Sequence, residues 1–152
     1  MNKILFAASE CVPFVKTGGL ADVVGALPKE FDKKNWDIRV VLPNYTCIPS
    51  KYRERFEKVC DFKMGCGHYI GEKYVGVMQY VYQGITYYFI DNLDYFECFY
   101  AYSDTRNDME RFTFFDKAVL SMLPLIDFKP DLIHCHDWQT GLIPIYLKSD
   151  FQ

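Results

Sequence analysis

Three short apolar runs, each followed closely by a polar pair, constrain this chain more than any other feature. They are KILFAA at residues 3–8, DIRVVL at 37–42 and DLIHC at 131–135. Runs of that length without alternation suit strands buried on both faces, the habit of parallel sheets. Helical spacing follows the first run: Leu20, Val23, Val24, Leu27 and Phe31 share one apolar stripe. Pro28 lies within it and cannot donate to the carbonyl four residues back, so a kink or break is expected there. The helical period returns from Glu110, with Phe112, Phe115, Val119, Met122, Leu123 and Ile126 on one side. Asp108 stands before that segment as an N-cap candidate. Residues 138–148 read as a last helix that tolerates Pro144 poorly. Between these parts, residues 59–64, 74–82 and 84–90 alternate and are rich in Tyr, Val and Ile, with Gly84 as a hairpin turn. The order predicts an α/β, Rossmann-like open sheet, mostly parallel, with helices on both faces and an added β-hairpin.

Residues 1–152 form about one domain, long enough for a real core. Half the residues are apolar and 18% are aromatic, which excludes a disordered chain. The net charge of −3, with no block of like charge beyond three residues, argues against nucleic acid as a partner. No apolar run approaches the roughly 18 residues of a membrane helix, and ILFAA is too short for a secretory core, so a cytoplasmic location is expected. Cysteines 11, 47, 60, 66, 98 and 135 form no CxxC pair and read as reduced thiols. Cys11, Cys47 and Cys135 look core or near-core, and Cys66 between two glycines looks like part of a turn.

In an open parallel sheet the ligand crevice lies beyond the carboxyl ends of the strands. Those ends carry Ser9–Glu10, Asn44–Tyr45, Asp91–Asn92 and His136–Asp137. Within KTGGLADVVG, Gly18 and Gly19 fall just before the helical stripe. Their amides would point out of a helix N-terminus, where the dipole favours an anion and Lys16 adds a mobile charge. Glycine there allows close approach and unusual backbone angles. The segment is neither GxGxxG nor a P-loop. A plain strand-to-helix turn, with Thr17 capping and Lys16 solvated, explains the same residues. In PDLIHCHDWQTGL, His134 and His136 share a face of the strand. HxH with Asp137 invites a metal reading, but no third ligand lies at a helpful spacing, and none is expected. His134 fits a core histidine satisfied by a backbone carbonyl. Asp137 fits both a helix N-cap and a carboxylate that accepts hydrogen bonds from a polyhydroxylated ligand.

MNKILFAASECVPFVKTGGLADVVGALPKEF, then DIRVVLPNY, YFIDNLDYF, ERFTFFDKAVL and KPDLIHCHDWQTGLIPIYLK, resemble the N-terminal domain of bacterial glycogen synthase and plant starch synthase. The match runs in order from residue 1 to about 148. The resemblance implies one half of a GT-B fold in a retaining glycosyltransferase. That enzyme class moves glucose from ADP-glucose, or sometimes UDP-glucose, to the 4-OH at the non-reducing end of an α-1,4-glucan, with no cofactor or metal. It implies that Lys16, Gly18 and Gly19 contact the donor diphosphate and that Asp137 is catalytic. Glu10, Asp22, Tyr100 and His136 fall at positions lining the sugar or acceptor. Because this chain reads FYAY, Tyr102 competes with Tyr100 for the tyrosine of the family's LYG element. Gln139 stands where many members have histidine and cannot titrate near neutrality. The sequence stops at Gln152, before the family's C-terminal domain, so a truncated N-terminal domain, inactive alone, is expected. Two rivals remain: a stand-alone glucan-binding or regulatory module, and the dinucleotide domain of an oxidoreductase, which lacks its GxGxxG here.

Overall fold

The computed structural model describes residues 1–151. One six-stranded sheet has the order β3-β4-β5-β2-β1-β6. Strand β1 (Asn2–Ala7) lies between β2 (Trp36–Pro43) and β6 (Leu132–Cys135), parallel to both. Strand β5 (Ile85–Asp91) continues the parallel set beside β2. Strands β3 (Glu57–Gly65) and β4 (Glu72–Tyr82) add an antiparallel flank. The β4–β5 turn is Gln83–Gly84, both with positive φ (50° and 79°), the two-residue geometry that matches strand twist. The mostly parallel sheet with an added hairpin is therefore as the apolar runs predict.

The helices differ from expectation in instructive ways. Helix α1 (Gly19–Ala26) buries Ala21, Val24 and Gly25, whereas Val23 and Leu27 of the expected stripe are exposed. Part of its buried face meets the preceding loop, where the Val12 amide donates to the Ala21 carbonyl at 3.1 Å. A Cβ on Gly25 would meet Val12 Cγ2 at 2.3 Å and the Val12 carbonyl at 2.9 Å, so the close approach needs glycine. Pro28 does end the α-helix; it opens a 3-10 turn at Leu27–Glu30. After α2 (Ser50–Arg53) and α3 (Leu93–Phe96), helix α4 runs Thr105–Met122, five residues longer at its start than the period indicates. Its N-cap is Asp104, whose side chain accepts from the Asn107 amide, and not Asp108. The expected last helix divides at Gly141 into a 3-10 turn (Trp138–Thr140) and α5 (Ile143–Ser149). Pro144 then lies in the first turn of α5, where its missing N–H has no partner to lose.

Strand β6 is at the sheet edge, so Leu132 and His134 are exposed and the expectation of a fully buried strand fails there. The loop between β1 and α1 is anchored by Phe14. Its ring, 2% exposed, meets Tyr87 at 4.9 Å and Phe89 at 5.1 Å, edge to face. Cys11 and Val15 close a small bridge around it, each amide donating to the other's carbonyl at 3.0 Å. An aromatic anchor of this kind contributes about 3–5 kcal/mol on truncation data. It fixes the point from which Lys16 and the glycines emerge. All six cysteines are free thiols, and Cys66 lies on the β3–β4 turn.

Candidate functional site

The four strand ends meet as the topology demands, and their polar groups brace one another. Tyr45 donates its hydroxyl to the Ser9 carbonyl at 2.8 Å, and the Ser9 and Tyr102 hydroxyls bond at 2.7 Å. The His136 amide continues the β6 ladder by donating to the Ala7 carbonyl at 3.1 Å, which sets His136–Asp137 beside Ser9–Glu10. Further along the rim, Asn44 donates to Asp91 at 3.3 Å and accepts from Arg53 at 3.3 Å. Asn92 caps α3 and donates to the Tyr74 carbonyl at 2.8 Å. Asn44, Asp91 and Asn92 thus hold the frame on the β2 and β5 side.

The KTGG segment is organised by Glu10, a carboxylate only 2% exposed. It accepts from the Thr17 amide at 2.9 Å, from the Thr17 hydroxyl and from the Ala21 amide at 3.3 Å. Thr17 is therefore a donor to Glu10, not the helix cap expected of it. The cap residue is Gly18, with no side-chain bond. The amides of Gly18 and Gly19, at the N-cap and first helical positions, have no intrahelical acceptor by construction. A Cβ on Gly19 would meet nothing within 4 Å, and one on Gly18 only Glu10 Oε1 at 4.0 Å. Gly18 has φ −161° and ψ −163°, an extended conformation open to any residue. The unusual backbone angles expected for these glycines are absent. The fold itself thus needs glycine at neither position, which leaves close approach from outside as the physical use of the missing side chains.

Lys16 is not simply solvated. Its Nζ pairs with Asp22 at 2.8 Å, both side chains more than half exposed. Such a surface pair contributes only about 0–1 kcal/mol, so an incoming dianion beside the helix N-terminus can displace Asp22 as partner. Asp22 parks the lysine at the mouth of the loop.

On the other side of the site, His136 stacks on Phe6 at 5.6 Å and lies near the exposed His134, ring centroids 4.2 Å apart. Burial, with His134 adding to it, lowers the His136 pKa to about 4. The ring is neutral at pH 7, and its buried Nε2 has no protein partner. An orphaned buried nitrogen of that kind suits a ligand hydroxyl. His134, expected in the core, is exposed instead. Asp137 accepts from the Trp138 amide at 2.7 Å, so the N-cap role holds, yet its backbone has φ 63° and ψ −176°. Gln139 is buried, with its Oε1 unpartnered. Among the described residues no group of three or more His, Cys, Asp or Glu is arranged to hold a metal ion, and no helix is long and apolar enough to cross a membrane.

Glu10, Lys16 and Gly18 thus lie in the segment between β1 and α1, Gly19 and Asp22 on α1, and His136 and Asp137 just beyond β6, whose end adjoins that of β1. Tyr100 is 80% exposed, whereas Tyr102 is the tyrosine whose hydroxyl bonds to Ser9. Two buried ionisable groups escaped the sequence reading. Arg111 ties α4 to the segment before it, and Asp116 accepts from the Leu142 amide at 3.1 Å. Both stand on the apolar stripe of α4, and a charge on such a stripe was the signal available. A separate apolar cavity of about 600 Å3, lined by Leu120, Leu123, Phe128, Leu132 and Leu147, lies among other residues.

A family model described as the starch synthase catalytic domain matches residues 3–152. A glycogen synthase of Lachnoclostridium phytofermentans is 55% identical over 152 residues, covering 100% of this chain and 31% of that protein. One from Lachnospira eligens is 53% identical over 151 residues, covering 99% and 31%. The solved catalytic domain of Starch Synthase IV from Arabidopsis thaliana, bound to ADP and acarbose, superposes with a TM-score of 0.78 at 27% identity. That match covers 99% of this chain and 30% of the plant chain. The chain therefore spans about 31% of the length of the curated relatives it matches.

Proposed function

The chain belongs to the starch synthase catalytic domain family, and from that premise we propose that it supplies one wall of a glucosyl-transfer site. In this reading the complete enzyme moves glucose from ADP-glucose to the non-reducing end of an α-1,4-glucan with retention, in the cytoplasm. The opposite wall comes from a second Rossmann-like domain. The observation that carries the reading is the pair of glycines whose absent side chains serve no purpose within the fold, placed beside a loosely held lysine.

Glucosyl transfer needs the leaving diphosphate to accept charge as the sugar–oxygen bond breaks. The amides of Gly18 and Gly19, the α1 dipole and Lys16 meet that need without a metal, because they are already aimed where the charge grows. Glu10 keeps its carboxylate turned inward on Thr17 and Ala21, so it shapes the loop instead of repelling the phosphates. Neutral His136 offers its free Nε2 to a sugar hydroxyl. Asp137 brings a carboxylate to the face on which positive charge develops at the sugar. Asp22 releases Lys16 when the donor enters. Tyr102, fixed by Ser9, is the tyrosine placed to line the acceptor side.

Calorimetric titration of this chain with ADP, and with AMP for comparison, tests the reading. ADP is expected to bind more tightly than AMP. Lys16→Ala and Gly19→Ala should each weaken ADP about tenfold, or about 1.4 kcal/mol, with melting temperatures unchanged. Binding that is absent, or indifferent to both substitutions, overturns the phosphate cradle. Binding of maltooligosaccharides with no response to ADP would favour the glucan-binding module instead.

A further inference from the structure

Cys47 and Cys98 have no part in the chemistry above, yet their sulfurs face each other at the rim of the site. Cys47 lies in the loop between β2 and α2, and Cys98 lies just after α3. Residues 51 positions apart in sequence have their Sγ atoms 3.7 Å apart, with the Cys98 thiol donating to Cys47. The backbones on either side are pinned together through Thr46. Its amide donates to the Phe96 carbonyl at 3.0 Å, and its hydroxyl accepts from the Cys98 amide at 2.8 Å and donates to the Cys98 carbonyl at 3.1 Å. Other thiols are used differently: those of Cys11 and Cys66 point at backbone carbonyls, at 3.3 Å and 3.5 Å. Both Cys47 and Cys98 are partly exposed, so a small reagent reaches them.

We propose that Cys47 and Cys98 form a redox-active dithiol that closes into a disulfide by exchange with a low-molecular-weight disulfide. A disulfide needs its sulfurs about 2.05 Å apart, so from 3.7 Å each must move by less than about 1 Å. Side-chain rotation supplies that movement, because Thr46 already holds the two backbones at a fixed separation. Burial, with Cys98 beside it, pushes the Cys47 thiol up to about 11, which disfavours Cys47 as the attacking thiolate; in the proposed order Cys98 attacks first. Its thiolate attacks one sulfur of the reagent, forming a mixed disulfide and releasing one thiolate. The Cys47 sulfur then attacks the Cys98 sulfur and expels the second. Two thiol hydrogens leave the protein, and the reagent gains two electrons and two protons as two thiols. The bond would lock the β2 loop, which carries Tyr45, to the segment leading to Tyr102. Both tyrosines bond to Ser9, so oxidation fixes the frame of the site without touching the phosphate loop.

The test incubates the chain with oxidised glutathione, alkylates the remaining thiols and maps the peptides by mass spectrometry. The expected product joins Cys47 to Cys98 and carries four alkylated cysteines, Cys11, Cys60, Cys66 and Cys135. It should melt at a higher temperature than the reduced chain and revert with dithiothreitol. Cys47→Ser should trap glutathione stably on Cys98, because the resolving sulfur is gone. Six alkylated cysteines, a disulfide between a different pair, or an unmodified Cys98 in Cys47→Ser would each overturn the proposal.

Discussion

Asp137 sits at φ 63° and ψ −176°, a region of backbone space that is nearly reserved for glycine and costs other residues about 1–3 kcal/mol. Gly18 and Gly19, at the start of α1, show the reverse allocation. Gly18 is extended and Gly19 is helical, so neither uses the freedom glycine gives. Glycine thus stands where the backbone is relaxed, and aspartate stands where it is strained. Under the function proposed above, a ligand that needs bare amides on one side and a carboxylate on the other would account for both. The strain is held by the β6 ladder before Asp137, by its own bond to the Trp138 amide, and by Thr140, whose hydroxyl donates to the His136 carbonyl at 2.9 Å. Asp137→Gly relieves the strain and loses the cap, so stability should change by less than about 1 kcal/mol. Asp137→Ala keeps the strain and loses the cap, and should cost about 1–2 kcal/mol. Urea melts of both variants decide the matter: an alanine variant as stable as the glycine one means no strain is stored there. The sequence showed that Asp137 was a strand-end carboxylate. Its dihedral was not legible, because the angle follows from where β6 and the 3-10 turn are each pinned.

Helix α4 is the element that holds the site's far side, and it does so through a side chain that periodicity alone overlooks. Arg111, 2% exposed, donates to Asp108 at 2.7 Å and to the Ala101 carbonyl at 3.0 Å. Asp108 in turn accepts from the Ser103 amide and hydroxyl, at 3.1 Å and 2.7 Å. The guanidinium also faces the rings of Tyr45, Phe96 and Phe112 at 5.4–5.7 Å. The pair therefore staples the segment containing Tyr102 onto the helix. Arg111→Met leaves the Asp108 carboxylate buried without its cation and should cost about 3–5 kcal/mol. Adding Asp108→Asn should recover a large part of that loss, since the uncompensated charge is then gone. Equilibrium unfolding of the single and double variants measures the coupling, and a single-variant cost below about 1 kcal/mol would show that the pair behaves as a surface one. The apolar stripe of α4 was readable because Phe112, Phe115 and Val119 repeat at helical spacing. Its start was not: Asp108 was the cap candidate, whereas the helix is capped four residues earlier by Asp104. Arg111 and Asp108 fall on the buried stripe itself, where a charge among apolar residues was the one available sign of a buried pair.

Across the whole molecule, two buried titratable groups impose opposite pH dependences on stability. His136 has its pKa lowered to about 4 from 6.5 by burial, then by His134. Between those values the unfolded chain holds the extra proton, so this group makes stability rise with pH. Asp116 is 1% exposed, and burial raises its pKa from 3.8 to about 8, against a small opposing pull from the Leu142 amide. There the folded chain holds the extra proton, so its contribution is fully present below pH 3.8 and is lost as pH rises through about 8. From about pH 4 to 6.5 the two slopes oppose each other. Above 6.5 only Asp116 acts, and stability should fall by at most about 2 kcal/mol by pH 8, at roughly 1.4 kcal/mol per pH unit. Asp116→Asn copies the protonated carboxyl in size and keeps an acceptor for Leu142, so it should remove that fall and leave a curve that rises to about 6.5 and then levels. His136→Gln should do the converse, leaving a steady decline from about pH 4 to 8. Thermal melts of the three proteins across this range test the assignment, because the other titrating groups are common to them; His134, which acts on His136, is the neighbour that the His136→Gln substitution also affects. A wild-type curve that keeps its fall in Asp116→Asn would place the responsible proton elsewhere.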